Sequence, residues 1–206
     1  MPIPSINLND GNKMPSLGLG LWKVSSYGQL KNAFDAAINN GYTLFDSAQV
    51  YKNEDYLGRA IKESKINRKV LFITTKIAPY NFGSKKTLKS FDESLRKLDM
   101  DYVDLILLHF PMTLFRKKAY LALEEIKKSG KAKSIGVSNY TIRHLELLKK
   151  YANIIPSVNQ VELHVFLQQP KLVEYCRKNN IVLEAYSPLA HGKKMNNEII
   201  TKIAKK

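Results

Sequence analysis

Apolar positions along the chain follow two rhythms that take turns. Short strand-like runs recur near residues 16–21, 43–46, 70–76, 103–109, 134–138, 157–161 and 182–186. Between them the apolar spacing switches to three and four residues, the signature of a helix with one buried face. Leu30, Ala33, Phe34, Ala37 and Ile38 form one such face, ended by Gly41. Leu88, Phe91, Leu95 and Leu98 form another, and Leu123 with Ile126 precede Gly130. Ile142, Leu145 and Leu148 follow a turn at Asn139; Leu172, Val173 and Cys176, then Ile199, Ile200 and Ile203, repeat the pattern. A hairpin is predicted before all of these, turning at Asn9-Asp10-Gly11.

Such alternation requires parallel strands joined by helical crossovers. The expected fold class is α/β, a (β/α)8 barrel of the TIM type preceded by the hairpin. Seven strands fit the sequence, and its final residues read as a seventh helix. A closed barrel of this kind has eight strands and typically about 250 residues. Strand and helix eight are therefore expected to be lacking, with residues 1–206 forming one incomplete barrel domain. The first and seventh strands would then carry unpaired edges, a surface open to self-association.

Three successive runs end in side chains that handle protons: Asp46, Lys76 and His109. Tyr51 follows Asp46 by five residues, on the next loop. In an alternating barrel these ends share one rim, the rim where such enzymes carry their chemistry. Taken singly, each has an ordinary explanation. Tyr51 could be a packed tyrosine, Asp46 a cap, Lys76 a solvated strand end and His109 a rim histidine. Their joint position favours an enzyme.

The stretch from Gly41 to Glu54, reading GYTLFDSAQVYKNE, resembles the aldo-keto reductases. So do Leu108-His109-Phe110-Pro111 and Gly136-Val137-Ser138-Asn139-Tyr140. The resemblance runs from about Ile6 to the end, and the short connection from His109 to Gly130 is like the compact microbial members. It implies reduction of an aldehyde or ketone by hydride transfer, with Tyr51 as proton donor. A free phenol is a poor acid near neutrality. Lys76 is expected to lower its pKa, Asp46 to hold Lys76, and a neutral His109 to orient the carbonyl. The implied cofactor is NADPH. Ser138, Asn139 and Gln160 would bind its nicotinamide carboxamide, Tyr186 would stack on the ring, and Ser187 and Leu189 would follow the pyrophosphate. Trp22, Phe110 and His109 would line the pocket for a small carbonyl substrate.

The chain departs from the family pattern in places. A small hydroxyl residue is usual where Leu21 stands, and tryptophan where Phe110 stands. The family's Ile-Pro-Lys-Ser run and following Arg, which grip the 2′-phosphate, are not found, so NADH stays open beside NADPH. Gly18-Leu19-Gly20 lacks the third glycine of a dinucleotide-binding fingerprint.

Composition narrows the remaining choices. With 206 residues, 44% of them hydrophobic, the chain can bury a substantial core. No window reaches the roughly 18–20 apolar residues of a membrane span, and the N-terminus does not read as a secretory signal. Cys176 is the lone cysteine, and a cytoplasmic protein is expected. The net charge of +15 raises binding to nucleic acid as a remote alternative. Its lysines are dispersed in pairs such as Lys85-Lys86 and Lys149-Lys150, so no nucleic-acid partner is expected. His144, His164 and His191 lack the spacing of a metal site, and none is predicted. The nearer alternative is a catalytically silent remnant or partner subunit that keeps the four residues.

Overall fold

The computed structural model describes residues 3–194 and 196–205. The hairpin pairs β1 (Ser5–Asn7) with β2 (Lys13–Pro15) in antiparallel register, around the predicted turn. Seven parallel strands then follow in chain order: β3 (Gly18–Gly20), β4 (Leu44–Asp46), β5 (Phe72–Ile77), β6 (Val103–Leu108), β7 (Ala132–Ser138), β8 (Val158–Glu162) and β9 (Val182–Tyr186). Each pairs with the next. The sheet curls so far that β3 and β9, its end strands, line one cavity. The result is a nearly closed barrel of the TIM type.

The helices α1 (Tyr27–Asn39), α3 (Ser84–Leu98), α4 (Arg116–Lys128), α5 (Ile142–Lys149), α6 (Pro170–Lys178) and α7 (Glu198–Ala204) fall where the apolar stripes predict. Ser26 caps α1 by accepting from Gln29 N–H, which satisfies one of the open amides at its start. One more helix, α2 (Glu54–Ser64), has a stripe of only Leu57, Ala60 and Ile61, too short to announce itself. Its Gly58 lies against the end of α3, where an added Cβ would sit 2.4 Å from the Leu98 carbonyl oxygen. Three details differ from expectation. Residues 68–70 form a 3-10 turn, so β5 starts after Val70, and Val173 faces solvent while Leu172 and Cys176 pack inward. The predicted face of α7 is also exposed at Ile199 and Ile203.

Strand alternation divides the apolar residues into two cores. Phe45, Ile73, Ile106, Ile135 and Val137 point outward against the helices, with Phe34 of α1 meeting Phe45 at 4.7 Å between ring centres. Leu44, Phe72, Leu105, Leu107 and Val158 fill the barrel, where Leu8 and Met14 of the hairpin region join them. Full burial of such side chains stabilises by about 1.5–3 kcal/mol each. Asn12 and Asn9 fasten this end by bonding to Ser134 Oγ, the Pro156 carbonyl and Ser157 Oγ. The hairpin therefore floors the barrel and leaves chemistry to the opposite rim.

Candidate active site

Asp46 ends β4 and Lys76 lies near the end of β5, both on the inner face of the barrel. Lys76 Nζ is 2.5 and 2.6 Å from the two Asp46 carboxylate oxygens. It also donates to the Ser47 carbonyl at 3.1 Å and to the Tyr51 hydroxyl at 3.4 Å. The side chains of the pair are 1% and 11% exposed, so water screens them little. Burial alone would pull the ammonium's pKa down; the nearby Asp46 and Tyr51 outweigh it, and the net shift is upward. Lys76 is a cation.

Tyr51 departs from the electrostatic expectation. Burial raises its pKa, Lys76 lowers it, and Asp46 raises it again, leaving the phenol above its ordinary value. Desolvation outweighs a cation held by a long hydrogen bond. His109, just past β6, meets the Tyr51 ring edge-on at 5.6 Å between centres. Among the described residues its buried Nδ1 has no hydrogen-bond partner. Burial and then Lys76 bring its pKa down to about 3, so the imidazole is neutral across the physiological range. Phe110 stacks on it at 5.1 Å.

The other predicted residues surround the same cavity, of about 850 Å³, with one exception. Trp22, Phe110, Ser138, Asn139, Gln160, Tyr186 and Ser187 line it. Leu189 does not, and is 67% exposed. Asn139 adopts a left-handed backbone, φ 63°, and knots the rim together. Its N–H donates to the Gln160 carbonyl, its amide nitrogen to the His109 carbonyl and Ser138 Oγ, and its Oδ1 accepts from the Tyr186 hydroxyl at 2.9 Å. Among the described residues no cluster of three or more His, Cys, Asp or Glu side chains is arranged to hold a metal.

Residues 16–204 match the model of the aldo/keto reductase family. The chain belongs to that family. It is 45% identical over 202 residues to the glyoxal reductase of Bacillus subtilis (strain 168), covering 98% of this chain and 73% of that protein. The crystal structure of an aldo/keto reductase from Brucella melitensis superposes with a TM-score of 0.94 at 41% identity, covering 98% of this chain and 79% of the other. A Bombyx mori aldo-keto reductase in complex with NADP does so with a TM-score of 0.90 at 30% identity, covering 100% and 76%. Among the described residues no helix is long and apolar enough to cross a membrane.

Within this aldo/keto reductase barrel, the structure adds residues to which no role was assigned from sequence. Tyr51 closes a 3-10 turn at Gln49–Tyr51 that two buried amides pin in place. Gln49 donates to the Ser90 carbonyl and Ser94 Oγ and accepts from Ala78 N–H and Asn81. Asn53 donates to the Leu21 and Val24 carbonyls at 2.9 and 3.0 Å and accepts from Ser47 Oγ at 2.8 Å. Asn159 bridges the N–H and carbonyl of Tyr140 and fixes the turn after β7. Glu184 of β9 also points into the cavity. The sequence carries no local signal for the two amides, because their partners lie far away along the chain.

Proposed function

We propose that this chain reduces small aldehydes and 2-oxoaldehydes to alcohols, using NADPH. The observation that carries this reading is the meeting of Asp46, a protonated Tyr51 and a neutral His109 at one cavity, with the charged Lys76 buried against Asp46 and Tyr51. The residues present suit the nicotinamide. A carboxamide needs both donors and acceptors, and the Gln160 amide offers both, while Asn139 Oδ1 keeps a lone pair beyond its bond to Tyr186. The Tyr186 ring is suited to stacking, with Ser187 beside it. When bound, the cofactor supplies the hydride. NADPH is preferred to NADH because of the NADP complex of the Bombyx mori relative.

The chain's own residues supply the proton and the orientation. Tyr51 gives its proton to the carbonyl oxygen as negative charge develops there. Lys76 stabilises the phenolate left behind, and Asp46 keeps that ammonium in place. The upward pKa of Tyr51 keeps the acid loaded at neutral pH. His109, being neutral, can hydrogen-bond to the substrate oxygen without competing as an acid. Trp22 and Phe110 supply apolar walls.

The test pairs NADPH titration, followed by quenching of Trp22, with turnover of glyoxal, the compound in the Bacillus subtilis relative's name. Tyr51→Phe is expected to keep the quenching and to lower kcat by about 10²- to 10⁴-fold. Saturable quenching without turnover in the unsubstituted chain would favour a silent binding subunit. Turnover that survives Tyr51→Phe undiminished would overturn the proton assignment.

A further inference from the structure

Glu184 lies outside the four residues just described, yet β9 aims it into the same interior. It is in register with Gln160 of β8, so both side chains emerge on the inner face of the barrel. It lines the cavity together with Asp46, Tyr51 and His109. Among the described residues its buried Oε2 has no hydrogen-bond partner, a costly state for an ionised carboxylate. The charged groups acting on it are Asp46 from β4 and Lys76 from β5, while β8 offers the uncharged Gln160 amide. Across the cavity, β3 contributes only Gly18, Leu19 and Gly20. Gln160 Nε2 in turn donates to Asp46 Oδ2 at 3.3 Å, and that same oxygen lies 2.6 Å from Lys76 Nζ.

Building on the reductase reading, we propose that Glu184 is a positioning residue for proton donation by Tyr51. Its carboxyl shares the field of one ammonium with Asp46 and so sets how strongly Lys76 is held beside the phenol. With Asp46 already answering the single ammonium, a second carboxyl in the same interior is not free to ionise. Burial, then the charge of Asp46, push the Glu184 carboxyl up to about 7, against the pull of Gln160 and Lys76. On the acid side of that midpoint Glu184 is neutral, and Asp46 alone balances Lys76. On the alkaline side its proton has left to solvent through the cavity. The site then carries an extra negative charge, which draws on Lys76 and opposes loss of the Tyr51 proton. Glu184→Gln keeps the shape and fixes the neutral state; Glu184→Asp keeps the acid.

The experiment is a carbon-13 NMR titration of the full chain carrying labelled Asp and Glu carboxyls, combined with the pH profile of glyoxal reduction by NADPH. The Glu184 resonance, assigned by its loss in Glu184→Gln or its displacement in Glu184→Asp, is expected to move with a midpoint near 7. The Asp46 resonance is expected to register the same step. In turnover, log kcat should show an inflection at that pH, lost in Glu184→Gln with KM unchanged and kept in Glu184→Asp. An ordinary carboxylate midpoint for Glu184, or an Asp46 resonance indifferent to it, would overturn the coupling. An active enzyme whose kcat profile ignores Glu184→Gln would overturn the positioning role alone. A coupled titration in a chain that turns over nothing would instead overturn the reductase reading, and the catalytic role with it.

Discussion

Breaking the pair between Asp46 and Lys76 one partner at a time, then both together, tests whether the centre of the rim is held by charge. Lys76→Met keeps most of the volume but leaves the Asp46 carboxylate with only the 3.3 Å contact from Gln160 among its side-chain partners. Both groups sit in a water-poor site, with 1% and 11% side-chain exposure. Removing one member of such a pair costs about 3–5 kcal/mol, because the orphan has lost both water and counter-charge. Asp46→Asn is expected to cost somewhat less, on the order of 3 kcal/mol, since an orphaned ammonium can shed its proton. The double variant has no buried charge left over and is expected to lie within about 1 kcal/mol of the parent. The coupling energy would then be several kcal/mol, far beyond that of an exposed pair.

Urea unfolding reads this directly. With an m-value of about 2–3 kcal/mol per molar, Lys76→Met should lower the midpoint by roughly 1–2 M. Its deficit should shrink as pH falls, because protonation relieves the orphaned carboxylate. Single variants that each lose under about 1 kcal/mol, or a double variant that loses their sum, would refute the account. The pair would then be bystanders in a site held by packing.

Other predictions concern neighbouring features. His109 has a folded pKa brought down to about 3 from 6.5, so the unfolded chain takes up this proton first and stability is lost as pH falls from about 6.5 toward 3. Glu184, raised to about 7 from 4.5, pulls the other way, losing stability as pH rises from 4.5 to 7. The assay is therefore the difference between the parent and His109→Gln, which should close by up to about 4 kcal/mol as pH is lowered to 3. Gly58→Ala would stabilise an ordinary exposed helix by up to about 1 kcal/mol. Here its Cβ would meet the Leu98 carbonyl at 2.4 Å, and chemical denaturation should reveal a loss of about 2 kcal/mol instead. Asn53→Ala takes one donor from the Leu21 carbonyl, which keeps the Val24 N–H, and strips the Val24 carbonyl and Ser47 Oγ of their Asn53 partner. It should cost about 2–3 kcal/mol in a melting assay and lower kcat at least tenfold by loosening the turn under Tyr51.

Features that repeat were the ones legible before the structure. The most apolar barrel strands, such as β6 (Val103–Leu108), are plain runs, and a run that ends in Asp46, or in His109 just beyond its last strand residue, announces both strand and rim. Long stripes such as Leu88, Phe91, Leu95 and Leu98 likewise carry enough turns to declare a helix. Features resting on one contact were not. Helix α2 buries only a brief stripe, and Val70 belongs to a turn although its β-branched side chain suits a strand. The partners of Gln49 and Asn53 lie as far as 45 and 32 positions away, so no local spacing betrays them. The direction of the Tyr51 shift depended on how much water the fold removes, and proximity to a lysine says nothing about that. Leu189 was carried over from a motif; its side chain faces outward once the backbone turns left-handed at Ser187.

Asn139 bears on how this barrel could change over generations. One side chain and one amide secure the ends of four consecutive strands, β6 to β9. Loops that leave those ends are thereby released from the task of holding them. The segment after β6, with Met112, Leu114 and Phe115 exposed, can lengthen, shorten or swap its side chains while the bonded ends stay in place. Tolerance to mutation should therefore be steeply graded over a few ångströms, low at Asn139 and high just beyond Phe110. Such a gradient lets a lineage explore new substrates while its proton-handling centre stays fixed.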